Sequence, residues 1–235
     1  MDEIAILMAA GLGTRMRPLT ERIPKPLIKV RGTPMIETVI NGLEIRGVSH
    51  IYIVVGYLGY SFNYLREKYR NISIIENPDY LNKNNISSIY AASEFMGKHN
   101  CFICEADLYV SDSSIFQADV PQSCYYGKFV KGFSDDWVFD QNDDGRITRI
   151  GKCGTDHYNM CGISYFYKDD AERIACAIRE SCKHKENNKL FWDDVVNRNL
   201  DKLNLTVHPV SSGQIVELDS VDELIAFDPD YRKWM

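Results

Sequence analysis

Seven residues directly after the first apolar run carry the earliest chemistry in the chain: Gly11-Leu12-Gly13-Thr14-Arg15-Met16-Arg17. Two glycines let backbone amides curl around an anion at the exit of a strand, and Arg15 with the later Lys25 brings two cations to the same region. The dinucleotide fingerprint would need a third glycine where Met16 stands, and the Walker A loop would need a Gly-Lys-Ser/Thr that is absent. What remains is a glycine-rich backbone with two cations able to neutralise a triphosphate as negative charge moves onto leaving pyrophosphate. A tight strand exit flanked by two solvated cations would have the same sequence.

Such a loop works only if a sheet holds it. Ile4 to Ala10 is a continuous apolar run ended by Gly11, the pattern of a strand buried on both faces of a parallel sheet. Apolar residues at 35, 36, 39, 40 and 43 have helical spacing over Met35 to Arg46, and Gly47 stops that helix. A second buried strand follows over His50 to Gly56, then a helix-like Ser61 to Tyr69 and a short strand Ile72 to Ile75. Ser87 or Ser88 is placed to cap a helix over Ile89 to Met96, and Cys101 to Ala106 forms another buried strand ending at Asp107. From about Val120 to Tyr167 the pattern changes to short strands broken by turns: Tyr125 to Val130, Trp137 to Asp140, Ile147 to Ile150 and Cys161 to Tyr167, with Asp143-Asp144-Gly145 as one turn. Helices over Ala171 to Cys182, Trp192 to Arg198 and Val221 to Phe227 are interleaved with strands over Leu205 to Pro209 and Ile215 to Leu218. The expectation is one α/β unit over 1–235, a Rossmann-like doubly wound mixed sheet with a small antiparallel substrate-side extension. Residues 1–119 are expected to be mainly nucleotide-binding, 120–170 to form the extension, and 171–235 to close the unit with helices and strands.

Composition excludes several other classes. The 235 residues are 45% hydrophobic and 26% charged, ordinary globular values. With 27 Lys+Arg against 33 Asp+Glu the net charge is −6, so the field that non-specific nucleic-acid binding requires is missing and nucleic acid is not an expected partner. Seven scattered cysteines fit reduced thiols in a cytoplasmic protein. Cys101 and Cys104 form a C-x-x-C, but a strand there would send them to opposite faces, and no second Cys or His pair completes a zinc site. No apolar stretch approaches the roughly 20 residues of a membrane span, and Met1-Asp2-Glu3 is acidic, unlike a secretory signal, so no membrane partner is expected. The oligomeric state is left open.

The segments A-A-G-L-G-T-R-M-R-P-L-T at 9–20 and I-P-K-P-L at 23–27 resemble the signature of the nucleotidylyltransferase family, which joins an NTP to a sugar phosphate or alcohol phosphate. The resemblance implies that the loop of Ala9, Ala10, Gly11, Gly13 and Thr14 wraps a triphosphate, that Arg15 contacts phosphate, and that Lys25 stabilises the α-phosphate during attack. It also implies Mg²⁺ as cofactor, and magnesium prefers one or two carboxylates plus substrate oxygens. Asp107, at the carboxyl end of a central strand, and Asp219, delivered by the strand Ile215 to Leu218, are the expected metal carboxylates. Asp107 could instead cap a turn at Ser111 to Ser114, and Asp219 with Ser220 is also a good N-cap pair for the last helix. A phosphate-monoester nucleophile is already ionised at neutral pH, so no general base is needed, and His50, His99, His157, His184 and His208 are taken as ordinary residues.

Nearly the whole chain, to about residue 225, resembles the CTP:phosphocholine cytidylyltransferase branch of that family. The likeness rests on V-G-Y at 55–57, N-N-x-x-S-x-Y at 84–90, E-A-D at 105–107, Trp137, F-W-D at 191–193 and E-L-D-S-V at 217–221. It implies that Asn84, Asn85 and Ser88 lie near the nucleotide or substrate and Ala106 near the nucleotide, and that Trp137, Trp192 and Asp193 or Asp194 surround a choline headgroup. Two tryptophans beside carboxylates suit a quaternary ammonium, although Trp192 could pack a helix face and Trp137 could plug a sheet end. The E-K-P-like segment of hexose-1-phosphate members is absent: the comparable stretch is Ile150-Gly151-Lys152-Cys153-Gly154. The match is weaker over 151–160, which leaves ethanolamine, aminoethylphosphonate or another amino alcohol open. The expected function is therefore Mg²⁺-dependent transfer of CMP from CTP to phosphocholine, giving CDP-choline and pyrophosphate. The alternatives are a nucleotidylyltransferase for a sugar-1-phosphate or for another phosphorylated or phosphonate amino alcohol, and a silent nucleotide-sensing domain.

Overall fold

A computed structural model of the chain describes residues 2–234; Met1 and Met235, the two ends of the expected unit, lie outside the described residues. In chain order the strands are β1 (Glu3–Ala9), β2 (Lys29–Val30), β3 (Thr33–Pro34), β4 (His50–Val55), β5 (Ile72–Glu76), β6 (Asn100–Glu105), β7 (Leu108–Val110), β8 (Cys124–Gln141), β9 (Ile147–Phe166), β10 (Thr206–Pro209) and β11 (Ile215–Glu217). The α-helices are α1 (Met35–Arg46), α2 (Tyr64–Lys68), α3 (Ile86–Ala92), α4 (Lys168–Ser181), α5 (Trp192–Asn197) and α6 (Val221–Phe227).

The main sheet has seven strands in the order β10-β8-β9-β6-β1-β4-β5. Strands β5, β4, β1 and β6 are parallel, β9 runs antiparallel to β6, and β8 antiparallel to β9. The chain leaves β1 toward β4 and β5 and then returns to β6 on the other side of β1. The strand order thus reverses beside β1, and sheets of this kind bind ligands outside the carboxyl ends at that reversal. The Rossmann-like mixed sheet expected from the sequence is the fold found. A separate antiparallel ribbon pairs β7 with β11, with Glu217 opposite Leu108.

Alternation explains the core. Along β1 and β6, Ala5, Leu7, Phe102 and Cys104 enter one buried cluster while Ile4, Ile6, Cys101 and Ile103 enter the other, because successive side chains point to opposite faces. The C-x-x-C cysteines are therefore separated by the sheet, and the seven cysteines carry free thiols. Helix α1 covers the first cluster with Ile36, Val39, Ile40 and Leu43, all fully buried, and ends at Gly47 with φ 84°. Among the described residues no helix is long and apolar enough to cross a membrane.

Three expectations need correction. The short strands over 125–140 and 147–167 are not separate: they are pieces of two long strands of 18 and 20 residues. The Asp143-Asp144-Gly145 turn is found where expected, joining the two strands, whereas the other breaks are bulges, with register shifts between Val130/Phe133 and Ser134/Trp137 and left-handed backbone at Gly132, Cys153 and Asp156, which bend a strand without ending it. The helix placed at 89–96 starts at Ile86 and stops at Ala92, because buried Ile86 extends the apolar stripe of Ile89 and Ala92 one turn back; Ser87 and Ser88 lie inside the first turn and do not cap it. The helix over 61–69 is reduced to α2, preceded by a 3-10 turn at Gly59–Phe62.

Candidate active site

The glycine loop leaves β1 at the point where the strand order reverses. Gly13 has φ 60°, and a Cβ there would come within 3.0 Å of both Lys25 Cβ and Thr20 Cγ2, so conformation and space both demand glycine. Gly11 differs: a Cβ there would meet nothing within 4 Å. The fold does not require that glycine, whereas a ligand approaching the backbone would. The Thr20 hydroxyl donates to the Gly13 carbonyl at 2.8 Å, and the Tyr57 hydroxyl donates to the Thr20 carbonyl at 2.9 Å. The V-G-Y segment after β4 thus braces the loop from the neighbouring strand.

Charge gathers beside the loop. Lys25 is 8% exposed, and its Nζ lies 2.7 Å from Asp107 Oδ2 and 2.7 Å from Asp219 Oδ1. Arg15 Nη1 is 2.8 Å from Asp219 Oδ2. Asp107 follows the end of β6, and the β7–β11 ribbon carries Asp219 to it. Burial works to lower the Lys25 pKa, but the Asp107 and Asp219 carboxylates outweigh it and raise the value above that of an ordinary lysine. Burial likewise works to raise the pKa of Asp219, and Lys25 with Arg15 holds it below the usual range.

Both capping alternatives go to neighbours. Ser220 Oγ accepts from the Glu223 amide, and Glu223 reaches back to accept from the Asp219 and Ser220 amides, a capping box that leaves the Asp219 carboxylate to the cations. Asp112, not Asp107, caps the turn at Ser113–Phe116 by accepting from the Ser114 amide.

These groups open on a cleft of about 500 Å³. Of the expected residues, Ala9, Ala10, Gly11, Gly13, Arg15, Lys25, Asn84, Asn85, Ser88, Asp107, Trp137 and Asp219 line it. Asn84 Nδ2 donates to the Lys189 carbonyl, and Asn85 Oδ1 accepts from the Trp192 amide, which ties the start of α3 to α5. Thr14 and Ala106 do not line the cleft; Ala106 is fully buried, with its amide donating to the Met8 carbonyl.

The expected headgroup box is not assembled. Trp192, 3% exposed, packs in the core with its ring stacked on Tyr125 (centroids 5.8 Å apart, planes at 20°) and edge-on to Phe166. Trp192, Val195 and Val196 form an i, i+3, i+4 apolar stripe on α5, the spacing signal that marks Trp192 as core. Asp193 is 4% exposed and accepts from the Tyr125 hydroxyl at 3.1 Å, and burial pushes its carboxyl up to about 7. Asp194 closes the start of α5 by accepting from the Phe191 amide. Trp137 does reach the cleft, edge-on to Phe191 and with Lys152 Nζ 5.8 Å from its ring centroid.

Sequence reasoning missed other lining residues, chiefly Glu105, Glu217, Asp136, Lys83 and Lys152. Glu105 and Glu217 each stand two residues before one of the expected metal carboxylates, so strand alternation was a signal for both. Burial and neighbouring Asp107 drive the Glu105 carboxyl well above the usual range, and burial with Asp136 nearby raises Glu217 to about 7. Neither carboxylate has an ion-pair partner among the described residues. Among those residues no group of three or more His, Cys, Asp or Glu side chains is gathered as a metal cage. Asp107 and Asp219 are nonetheless held close enough to share one cation, Lys25, and a two-carboxylate site completed by substrate oxygens suits magnesium.

Comparison with known proteins shows what the chain is similar to. The family described as the MobA-like NTP transferase domain matches residues 5–123. The 2-aminoethylphosphonate cytidylyltransferase of Lancefieldella rimae is 56% identical over 97% of this chain and 92% of its own length. The choline-phosphate cytidylyltransferase of Streptococcus pneumoniae is 34% identical over 97% of this chain and 95% of its own. A solved structure of the CTP:phosphocholine cytidylyltransferase from Streptococcus pneumoniae superposes with a TM-score of 0.87 at 31% identity, covering 100% of this chain and 98% of the other. A putative glucose-1-phosphate thymidylyltransferase from Bacillus anthracis shares the fold, with a TM-score of 0.79 at 19% identity over 98% of this chain and 95% of its own.

Proposed function

The chain belongs to the MobA-like NTP transferases and, within them, to the cytidylyltransferases, and from that premise we propose that it transfers CMP from CTP to 2-aminoethylphosphonate with release of pyrophosphate. The nucleotide-sensing alternative is set aside because the relatives are enzymes.

The observation that carries the choice of acceptor is that Glu105 and Glu217 line the cleft and neither forms an ion pair among the described residues. A primary ammonium has three N–H donors to give such carboxylates, and charge-assisted hydrogen bonds are the strong ones. A trimethylammonium has none and relies on aromatic faces, yet Trp192 is in the core. The 56% identical relative carries the same acceptor in its name. Phosphocholine is the second reading, favoured by the choline-phosphate relative and by Trp137 in the cleft wall.

In this reading the backbone from Ala9 to Gly13 receives the triphosphate, and Arg15 and Lys25 neutralise it. An ionised phosphonate oxygen of the acceptor attacks the α-phosphorus in line, a new P–O bond forms, and the bond to the bridging oxygen breaks so that pyrophosphate leaves toward Arg15. Asp107 and Asp219 would hold Mg²⁺, which when bound supplies charge neutralisation at the reacting phosphates. Glu217 and Glu105 orient the ammonium, and no protein general base is needed. We place the reaction in the cytoplasm, a setting that suits seven free thiols.

The test is pyrophosphate release from four NTPs crossed with 2-aminoethylphosphonate, phosphocholine, phosphoethanolamine and glucose-1-phosphate. CTP with 2-aminoethylphosphonate should give the highest kcat/KM. A higher value with phosphocholine would select the second reading, and a higher value with glucose-1-phosphate would overturn both.

A further inference from the structure

Trp137 on β8 and Lys152 on β9 are register partners, and the lysine ammonium lies 5.8 Å from the tryptophan ring centroid, within the range at which an aromatic face holds a cation. Both side chains line the cleft. The other cleft cations are neutralised by carboxylates: Lys25 by Asp107 and Asp219, Arg15 by Asp219, and Lys83 by Asp79 at 2.6 Å. Lys152 is exposed and has no ion-pair partner among the described residues; the Trp137 ring is the side-chain group its ammonium rests against. The strand beneath it is fixed: Arg149, paired with Asp140 at 2.6 Å, donates to the carbonyls of Lys152 and Cys153.

An occupied ring face cannot serve a second cation. The resident ammonium repels it from the face it occupies. A substrate ammonium entering the cleft then loses this ring face and meets the rings of Tyr80 and Phe191 together with the carboxylates, and the carboxylates give more to a primary ammonium, which donates hydrogen bonds to them, than to a trimethylammonium, which cannot. We infer that Lys152 is a specificity-determining residue: by sitting on Trp137 it closes the aromatic seat a quaternary ammonium would use and favours acceptors with a primary amine. The inference rests on the proposed function, in which the acceptor is a phosphonate or phosphorylated amino alcohol.

The experiment compares wild type, Lys152→Met and Lys152→Arg. Methionine keeps an unbranched stem while removing the charge, and arginine keeps the charge. For each protein kcat/KM is measured with 2-aminoethylphosphonate and with phosphocholine, KM is measured for CTP, and free choline is titrated as a competitive inhibitor. In Lys152→Met the ratio of phosphocholine to 2-aminoethylphosphonate efficiency should rise by roughly tenfold, the scale of a desolvated cation–π contact. Choline should inhibit that variant more strongly than wild type, KM for CTP should stay within about twofold because the nucleotide does not depend on this ring, and Lys152→Arg should keep the wild-type ratio. An unchanged ratio overturns the inference. So does an equal loss with both acceptors, which would mean that Lys152 grips the phosphorus group they share, and so does a selective rise in KM for CTP. If wild type turned over neither acceptor, the proposed function would fail and take this inference with it; turnover with an unmoved ratio sinks the inference alone.

Discussion

The ammonium of Lys25 lies 2.7 Å from the carboxylate of Asp219, a residue 194 positions further along the chain. Asp107, at the end of a different strand, is equally close. One buried cation therefore joins the start, the middle and the end of the sequence at the carboxyl edge of the sheet. Two carboxylates of like charge are stable side by side there because Lys25 stands between them, and an incoming triphosphate would draw the same lysine toward phosphate.

Lys25→Ala should lower kcat by more than about tenfold, the scale of a lost charge-stabilising group at a reacting phosphate. Circular dichroism should remain native. The loss of stability should be modest, about 1–2 kcal/mol, because Asp107 and Asp219 are each about one-third exposed and water screens their repulsion. Unchanged turnover would remove Lys25 from the chemistry.

With Lys25 as resident cation, the free protein should bind divalent metal poorly. Manganese titration followed by electron paramagnetic resonance should show weak binding without CTP and much tighter binding with it. Lys25→Met should bind manganese without nucleotide, and Asp107→Asn should bind it neither way. Equal affinity with and without CTP in wild type would contradict this account.

The two loop glycines should separate fold from ligand. Gly13→Ala forces a side chain into left-handed backbone and against Thr20 and Lys25, which should cost about 1–2 kcal/mol or more in urea unfolding. Gly11→Ala should leave the unfolding midpoint unchanged while raising KM for CTP, since its Cβ has open space in the protein but projects where the nucleotide would lie. If both variants lost stability equally, the openness at Gly11 would have no functional meaning.

Trp192→Ala should destabilise the protein by about 3–5 kcal/mol, the range for removing a buried aromatic ring. Any change in KM should be similar for CTP and for the acceptor. A rise confined to the acceptor would return Trp192 to the substrate site.

Asp193 gives a pH-dependent signature. Burial raises its folded pKa to about 7, above the ordinary value of 3.8, so the folded state binds the proton more tightly than the unfolded state does. Stability from this group is then greatest at low pH and declines as pH rises from about 4 to about 7. Asp193→Asn can still accept from the Tyr125 hydroxyl but carries no charge, so its Tm should match wild type near pH 4 and exceed it at pH 8. A Tm difference that did not grow with pH would show that Asp193 is not strained by ionisation.

Local pattern alone was enough for a large part of this protein. The apolar run before Gly11, the helical spacing over Met35 to Arg46 with Gly47 after it, and the glycine loop with Lys25 beside it depend on residues near one another in sequence, and each appears in the structure at or near its expected position. Asp107 and Asp219 were legible because each stands at the end of a short apolar strand. The β8–β9 arm was not legible as two strands, since a bulge and a turn use the same glycine and polar residues and differ only in whether a partner strand continues alongside.

What tertiary structure decided is which of the chemically capable side chains share a surface. Trp192 and Asp193 sit in a sequence that suits a cation box, but the orientation of α5 turns both into the core, where Tyr125 meets them. Glu105, Glu217 and Lys152 reach the cleft through strand pairing: β6 against β1, β11 against β7, and β9 against β8. Side-chain type is carried by the sequence, whereas neighbours across a sheet are set by register, and register emerges only when all the strands are packed together.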